Sequence, residues 1–413
     1  MRNIYTGIDI GSDNVKIVVA EFIDGKFYIL ASTAVKSVGI KRGLVVDEEM
    51  ATNSLRLAIN EIEKTLGVRI NKAIVSVPSN NRKLSVIDGA INIYNDEING
   101  NDIVTLLQES TIDKIDSTDE LVSLIPIMFC VDNDKFTINP RGIKASSLSV
   151  KALMATAPKE QIFNILKIFS NVSIEVVDFT FSCIGDYYEV KSKDCDSVLG
   201  SIINIGYSKT NVSIFNKGII IKDSIINLGS KNIDKDISYI YGVDLNSAKE
   251  LKEKFALSSR RYADINEVLD VPLSDNEKLT INQYEITEIV EARIVELLKL
   301  AKKEINNLTK RKISYIIVTG GITELMGFSY VVENILGINA STFNDTTIGI
   351  RSNKYSSAIG VIKYFHDKMN LRDKNISLFD EDMVEQMLKN KKSMLELTDD
   401  TIISKIFGYF ANN

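Results

Sequence analysis

Two stretches of the chain place a polar side chain just before a glycine-containing turn between runs of β-forming residues. GIDIGSDNVKIVV (7–19) puts Asp9 before Gly11, and INIGYSKTNVSIF (203–215) puts Asn204 before Gly206. An ordinary hairpin with a Gly/Asn turn is one interpretation. The other is a turn whose backbone N–H groups hold a phosphate, with a carboxylate beside it for a hard metal ion.

A third glycine motif, VTGGITELMGF (318–328), follows the apolar run ISYIIV. Thr319 or the Gly320–Gly321 pair could open a helix with free N–H groups, which suits a phosphate or a close backbone approach to a ring. This motif alone is weak, because many α/β proteins contain it. Two hairpin turns and a Gly-Gly turn together are more specific, since two similar domains can close on one nucleotide.

The elements around these turns repeat after about 195 residues, a period too long for a solenoid. Each hairpin is followed by a strand, a helical pattern and a second apolar strand, at 25–37, 48–67 and 73–78 in the first copy and at 218–230, 231–242 and 314–321 in the second. This order predicts mixed α/β sheets in two related domains.

Composition narrows the chemistry. The chain has 413 residues, of which 45% are hydrophobic and 25% charged, and this predicts more than one globular domain. A net charge of −6 argues against nucleic acid as a partner. One histidine, His366, which we interpret as structural, and three scattered cysteines argue against His-based catalysis, zinc and disulfides. Without a long apolar run or a signal-peptide pattern, we expect a cytoplasmic chain.

The motifs resemble those of the actin, Hsp70 and sugar-kinase superfamily and, within it, the bacterial cell-division family FtsA. The two hairpins resemble the phosphate motifs, IIVTGGITELMGF the adenosine motif, and YSSAIGVIKYF (355–365) the helix that returns to the first domain. The resemblance covers nearly the whole chain. It implies an α/β, actin-like (ribonuclease H-like) two-domain fold with a central nucleotide cleft and the inserted subdomain 1C that distinguishes FtsA from actin.

The resemblance also implies the subdomain boundaries. We expect subdomain 1A at 1–84, 158–195 and 346–368, 1C at 85–157, 2A at 196–229 and 310–345, 2B at 230–309, a linker at 369–398 and an amphipathic membrane-targeting helix at 399–413.

Residue by residue, the resemblance assigns roles in binding ATP with Mg²⁺. Asp9 matches the aspartate that orients Mg²⁺ directly or through water, and a turn-capping carboxylate is its structural alternative. Lys16 falls where actin places a phosphate-binding lysine, whereas many FtsA sequences place theirs two residues earlier, so its direction stays open. The phosphate loop comprises Gly11, Ser12, Asp13 and Asn14.

The second loop departs from the superfamily pattern. Asn204 replaces an acid that helps to hold magnesium, keeping only an amide oxygen, and Tyr207 and Ser208 replace two glycines. We therefore expect slow or absent ATP hydrolysis. Candidate phosphate contacts here are Gly206, Lys209 and Thr210. Candidate adenosine contacts are Lys249, Glu250 and Lys252, whose alternative is a solvated helix face, and Gly320, Gly321 and Ile322.

The resemblance implies partners as well. In FtsA the tail peptide of the tubulin-like protein FtsZ docks on subdomain 2B, here near EITEIVEARIVELLKLAKK (285–303), where Arg293 is a candidate contact or a solvated helical arginine. The last stretch, DDTIISKIFGYFANN (399–413), has an apolar face at helical spacing, which predicts an interfacial membrane helix or a helix docked on the core. That face comprises Ile402, Ile403, Ile406, Phe407 and Phe410.

We therefore expect an actin-like ATP-binding cell-division protein that polymerises on the cytoplasmic face of the membrane at the division site and anchors FtsZ there. A pilus-assembly-type actin homologue or another actin-fold ATPase is the alternative. The weakened second loop argues against a kinase, and the length after residue 370 is too short for a chaperone's peptide-binding domain.

Overall fold

An antiparallel meander opens the chain, as its runs of β-branched residues predict. The structure, a computed structural model, describes residues 2–274, 277–344, 349–350 and 352–397. Its first elements are β1 (Asn3–Ile10), β2 (Asn14–Ile23), β3 (Lys26–Lys36), the short β4 (Ile40–Lys41) and β5 (Leu44–Val45), α1 (Glu48–Leu66) and β6 (Lys72–Val77). Helix α1 begins after Asp47, whose carboxylate accepts the Met50 N–H, and ends at Gly67 in the left-handed conformation.

An inserted unit follows β6. Its elements are β7 (Lys83–Asn92), α2 (Gly100–Glu109), β8 (Asp119–Val131), β9 (Lys135–Thr137) and β10 (Ser147–Pro158). The strands form an antiparallel sheet in the order β7-β10-β8-β9, with a separate core around Ile103, Leu106 and Phe129. The order of one strand, a helix and then more strands is the one expected for subdomain 1C.

The chain then returns to the first sheet through α3 (Lys159–Ser170), β11 (Glu175–Phe181) and α4 (Ser182–Val190). The completed sheet has the order β11-β6-β1-β2-β3. Its hairpin strands pair antiparallel, whereas β6 pairs parallel with both β1 and β11.

The second domain repeats this plan. Its elements are β12 (Leu199–Ile205), β13 (Thr210–Asn216), β14 (Ile219–Ile226), α5 (Lys231–Tyr241), α6 (Leu245–Lys254), β15 (Val268–Ser274), β16 (Glu277–Asn282), α7 (Gln283–Leu308), β17 (Tyr315–Thr319), α8 (Phe328–Leu336) and β18 (Ala340–Thr342). The sheet order β14-β13-β12-β17-β18 has the same antiparallel and parallel pairings as the first sheet. The repeat predicted from the two hairpin motifs is therefore present.

Two helices carry the chain between the domains: α4 leads from the first sheet to the second, and α9 (Ser356–Leu371) leads back. They cross at Gly185 and Gly360. A Cβ atom on Gly360 would lie 1.7 Å from the carbonyl oxygen of Gly185. Only glycine permits so close an approach of two backbones.

The segment after α9 differs from the expected linker, because it packs on the first domain. Leu378 N–H donates to the Ile4 carbonyl at 2.8 Å, and Leu378, Phe379 and Met387 are buried. Helix α10 (Glu381–Leu397) follows. The expected membrane-targeting helix at 399–413 lies outside the described residues. Within the part that the structure describes, no helix is long and apolar enough to cross a bilayer.

Candidate functional site

A cavity of about 500 Å³ lies between the two domains, within the usual size range of small-molecule sites. Its walls come from the β1–β2 turn, the β12–β13 turn, the loop after β17, and α6. The two turns match in detail. Gly11 N–H donates to the Asn14 carbonyl at 3.1 Å, and Gly206 N–H donates to the Lys209 carbonyl at 3.0 Å. The three glycine motifs therefore meet at one place.

Most of the predicted nucleotide-site residues line this cavity. They are Asp9, Gly11, Ser12, Asp13, Asn14, Lys16, Asn204, Gly206, Lys209, Lys249, Lys252, Gly320, Gly321 and Ile322. Thr210 and Glu250 do not line it, which corrects those two predictions. Thr210 is buried on the other side of β13, where its hydroxyl donates to the Leu228 carbonyl at 2.9 Å. Glu250 is exposed on α6 and pairs with Lys254 at 2.9 Å.

Asp9 and Lys16 lie opposite each other in the first hairpin and both face the cavity. Lys16 Nζ lies 2.8 Å from Asp9 Oδ2, and Ser76 Oγ donates to Asp9 Oδ1. Burial alone would raise the pKa of Asp9, but the Lys16 ammonium and both hydrogen bonds outweigh it and lower the pKa. Asp9 therefore stays ionised, and the open question about the direction of Lys16 is answered.

A buried carboxylate that the sequence analysis missed, Asp186 on α4, lies behind the second hairpin. Asn204 Nδ2 donates to Asp186 Oδ2 at 2.8 Å, and Ser357 Oγ donates to Asp186 Oδ1 at 2.7 Å. Burial raises the pKa of Asp186 to about 6. The one signal for it in the sequence is a lone acid in the apolar stretch SCIGDYYEV. Asp186 fixes the orientation of the Asn204 amide on the cavity floor.

Helix α6 contributes two lysines with different surroundings. Lys249 Nζ crosses the cleft to Asp13 Oδ2 at 2.6 Å, so this ion pair joins the two domains at the cavity mouth. Lys252 Nζ is buried against Asp234 Oδ1, also at 2.6 Å. Both lysines line the cavity, and both already have a carboxylate partner.

The connection from β6 to subdomain 1C makes two further contacts with the second domain. Lys209 Nζ donates to Asn80 Oδ1 at 2.7 Å. Arg82, whose side chain is 1% exposed, forms an ion pair with Asp223 on β14 and donates to Cys183 Sγ at 2.7 Å. Sequence reasoning missed Asn80 and Arg82, because their partners lie far away along the chain.

The loop after β17 brings backbone close to the second hairpin. Gly320 has φ +109°, and a Cβ atom there would lie 2.4 Å from the Ile205 carbonyl oxygen. A side chain at this position would be strained and would clash with backbone. Gly321 and Ile322 follow in the cavity wall, where a flat ring could approach the backbone.

The cavity residues do not fit a magnesium ion held by the protein. In nucleotide sites magnesium usually keeps several waters and is bound by the substrate phosphates and one or two carboxylates. Lys16 and Ser76 each donate a hydrogen bond to one oxygen of Asp9, the Lys16 ammonium offsets the charge of that carboxylate, and Asn204 is uncharged. Among the described residues, no three His, Cys, Asp or Glu side chains form a group that could hold a metal ion. This arrangement gives no support to direct ligation of magnesium by Asp9, and the predicted role of Asp9 through water stays a prediction.

Arg293, the candidate partner contact on α7, is already engaged. Its guanidinium forms a two-pronged ion pair with Asp236, with Nε–Oδ2 at 2.6 Å and Nη2–Oδ1 at 2.9 Å, and it also pairs with Glu296. An acidic peptide would have to compete with these carboxylates.

Two sheets of identical topology around a nucleotide-sized cleft define an actin-like protein. Solved structures with this fold include a chain of the PilM–PilN type IV pilus biogenesis complex (TM-score 0.58, 12% identity, 86% of this chain and 97% of that chain). Another is MreB5 of Spiroplasma citri bound to ADP (TM-score 0.53, 12% identity, 90% and 99%). At such identities the likeness shows the fold alone, and it confirms the predicted fold class.

The family follows from the sequence matches. The family model described as "Cell division protein FtsA" matches residues 201–360, and "SHS2 domain inserted in FTSA" matches residues 80–156. The cell division protein FtsA of Bacillus subtilis (strain 168) is 26% identical over 88% of this chain and 83% of its own length. That of Enterococcus hirae is 26% identical over 87% and 82%. The chain belongs to the FtsA family, and the resemblance stated from its motifs is confirmed.

Proposed function

We propose that this actin-like cell-division protein binds ATP in the cavity between its domains. The observation that carries this proposal is the convergence of Gly11, Gly206 and Gly320 loops on one cavity lined by lysines. The phosphates would lie between the two hairpin turns, where Lys16 and Lys209 point. The base and ribose would lie between α6 and the Gly320–Ile322 loop. Structures of MreB5 bound to ADP and to AMPPNP support a nucleotide in a cleft of this fold.

The proposed hydrolysis rate is slow or zero. Asn204 carries no charge, and its amide is held by Asp186 rather than free to position a water. Each lost interaction of about 1.4 kcal/mol in the transition state lowers the rate tenfold. The chain would therefore act as a nucleotide-dependent scaffold.

The scaffold role has three proposed parts. Subdomain 1C supplies a surface for self-association into protofilaments, because it is a separately cored unit at the edge of the first domain. Subdomain 2B, near Arg293, takes the tail peptide of FtsZ. The face of the 399–413 segment then attaches the filament to the cytoplasmic side of the membrane at the division site.

ATP binding is tested by calorimetry on the full chain. Wild type should bind ATP. Gly321→Val should bind ATP at least about tenfold more weakly, because the larger side chain fills the space into which the base would enter. A tenfold change in affinity is about 1.4 kcal/mol. Gly321→Ala is the matched control, since its Cβ would lie an ordinary 3.4 Å from Lys354 Cβ. Wild type without measurable ATP affinity would refute the proposal.

Membrane attachment is tested by co-sedimentation with liposomes, with and without an FtsZ tail peptide. Phe407→Glu should abolish pelleting, because a charge on the apolar face opposes burial in the lipid interface. Ser404→Glu, which places the same charge on the other side of the expected helix, should pellet like wild type. Unimpaired pelleting by Phe407→Glu would show that this segment is not the anchor, and a peptide that stays in the supernatant would argue against the FtsZ link.

A further inference from the structure

Lys209 differs from Lys16, Lys249 and Lys252, which also line the cavity, in having no direct carboxylate partner. Lys16 pairs with Asp9 at 2.8 Å, Lys249 with Asp13 at 2.6 Å and Lys252 with Asp234 at 2.6 Å. The hydrogen-bond partner of the Lys209 ammonium is a neutral amide oxygen, that of Asn80 at 2.7 Å. Among the described residues, no carboxylate lies within ion-pair distance of it. Lys209 therefore has no direct ion pair, although the more distant carboxylates of Asp9, Asp186 and Asp223 act on its charge.

The position of Lys209 places this charge between the two hairpin turns. Lys209 is the last residue of the β12–β13 turn, and its backbone carbonyl accepts the Gly206 N–H. A Cβ atom on Gly43, whose N–H donates to Ser12 Oγ at 2.9 Å, would lie 3.4 Å from Lys209 Nζ. The ammonium therefore reaches from the second loop to the segment that supports the first. Burial lowers the pKa of Lys209 to about 8, so most molecules carry the charge at neutral pH.

The carboxylate oxygens of the same region already accept hydrogen bonds from protein groups. Asp9 is occupied by Lys16 and Ser76, and Asp186 by Asn204 and Ser357. A polyphosphate in a closed site needs positive charge close to its oxygens, from a metal ion or from ammonium and guanidinium groups. This cavity offers fixed ammonium groups and few ligands for a metal ion.

We propose that Lys209, together with Lys16, forms an ammonium subsite that binds the phosphates of a nucleoside di- or triphosphate without a requirement for Mg²⁺. This inference rests on the proposed ATP binding and concerns the source of the charge at that same site. A phosphate oxygen would replace the Asn80 amide as the acceptor of the Lys209 ammonium, exchanging a neutral acceptor for a charged one. Magnesium carried by the nucleotide would change the affinity little.

The test measures ATP binding to the full chain in two buffers, one with excess MgCl₂ and one with excess EDTA. Wild type should bind in both, with dissociation constants that differ less than about threefold. Lys209→Gln should lose about tenfold or more in EDTA, equivalent to about 1.4 kcal/mol, and should regain part of this with MgCl₂. Lys222→Gln, on an exposed position of β14, is the control with the same change in net charge.

The outcomes separate the two proposals. Wild type that binds ATP with MgCl₂ but not with EDTA would overturn the ammonium subsite and leave ATP binding standing. Wild type that binds in neither buffer would overturn ATP binding itself. Lys209→Gln with wild-type affinity in EDTA would exclude Lys209 as the source of charge. Lys209→Arg, which keeps the charge, should bind ATP in EDTA. Binding by this variant would show that a substitution at this position leaves the protein folded, and circular dichroism of Lys209→Gln would detect a folding defect directly.

Discussion

Replacing Asn204 with aspartate would place two carboxyl groups against each other on the cavity floor. In wild type, Asn204 Nδ2 donates to Asp186 Oδ2 at 2.8 Å. The folded pKa of Asp186, about 6, exceeds its unfolded value of about 3.9. Between these two pH values the Asp186 carboxyl is therefore protonated in the folded state and ionised in the unfolded state. The contribution of Asp186 to the free energy of unfolding is full below about pH 4 and falls by about 3 kcal/mol as the pH rises to about 6.

Asn204→Asp removes the amide donor and adds a like charge, and both changes raise the apparent pKa of the pair. Two unit charges about 4 Å apart repel by about 4 kcal/mol at an effective dielectric constant of about 20. That repulsion corresponds to about three pKa units. The variant should therefore have a free energy of unfolding close to that of wild type at pH 5, where one proton shared by the two carboxyl groups replaces the amide donor. It should be less stable by about 3 kcal/mol at pH 8.

Urea unfolding followed by circular dichroism at pH 5 and pH 8 measures this difference. Asn60→Asp, on an exposed position of α1, adds the same charge and should show no such pH dependence. The exchange variant Asn204→Asp/Asp186→Asn restores one amide and one carboxylate and should recover most of the stability at pH 8. If Asn204→Asp alone were as stable as wild type at both pH values, the reasoning would be refuted.

Three further predictions address the domain contacts. Gly360→Ala should lower the melting temperature far more than Gly321→Ala, because its Cβ would meet the Gly185 carbonyl at 1.7 Å and overpacking costs about 1–3 kcal/mol or more; equal melting temperatures would contradict the tight crossing. Arg82→Met should destabilise by about 3–5 kcal/mol by leaving Asp223 unpaired in a largely buried site, with the exposed Arg56→Met as control; urea midpoints measure both. A chain without residues 85–157 should keep a cooperative thermal transition but form no normal filaments by electron microscopy, and normal filaments would exclude subdomain 1C from assembly.

The fold was largely predictable because its signals are local. Runs of β-branched residues around short glycine turns predict hairpins, and their recurrence in two copies predicts two similar sheets. The direction of Lys16 also follows from local geometry. Asp9 and Lys16 are direct partners across β1 and β2, and side chains of such a pair lie on the same face. Similarly, Thr210 is the first residue of β13, directly after Lys209, and its side chain points away from the side on which Lys209 lines the cavity.

The parts that could not be predicted depend on contacts distant in sequence. The residues that hold Asp186, Lys209 and Arg82 come from other elements, and no spacing rule links Asn80 to Lys209. The docking of residues 376–379 was missed for a different reason. A short apolar run, ISLF, within a charged segment is too brief to carry periodicity, although its burial fixes the chain against β1.

The crossing of α4 and α9 at Gly185 and Gly360 has a mechanical consequence. Both passages of the described chain between the domains run through these helices. Their backbones approach closely at this glycine pair, and beside it Ser357 on α9 donates to Asp186 on α4. A contact of this kind resists sliding, because any side chain or shift along either axis meets the other helix. Rotation about the glycine pair meets less resistance than sliding, because the two residues at this close approach carry no side chains. The crossing therefore works as a pivot, and opening of the cleft should be a swing about it, whose widest movement falls at the Asp13–Lys249 mouth.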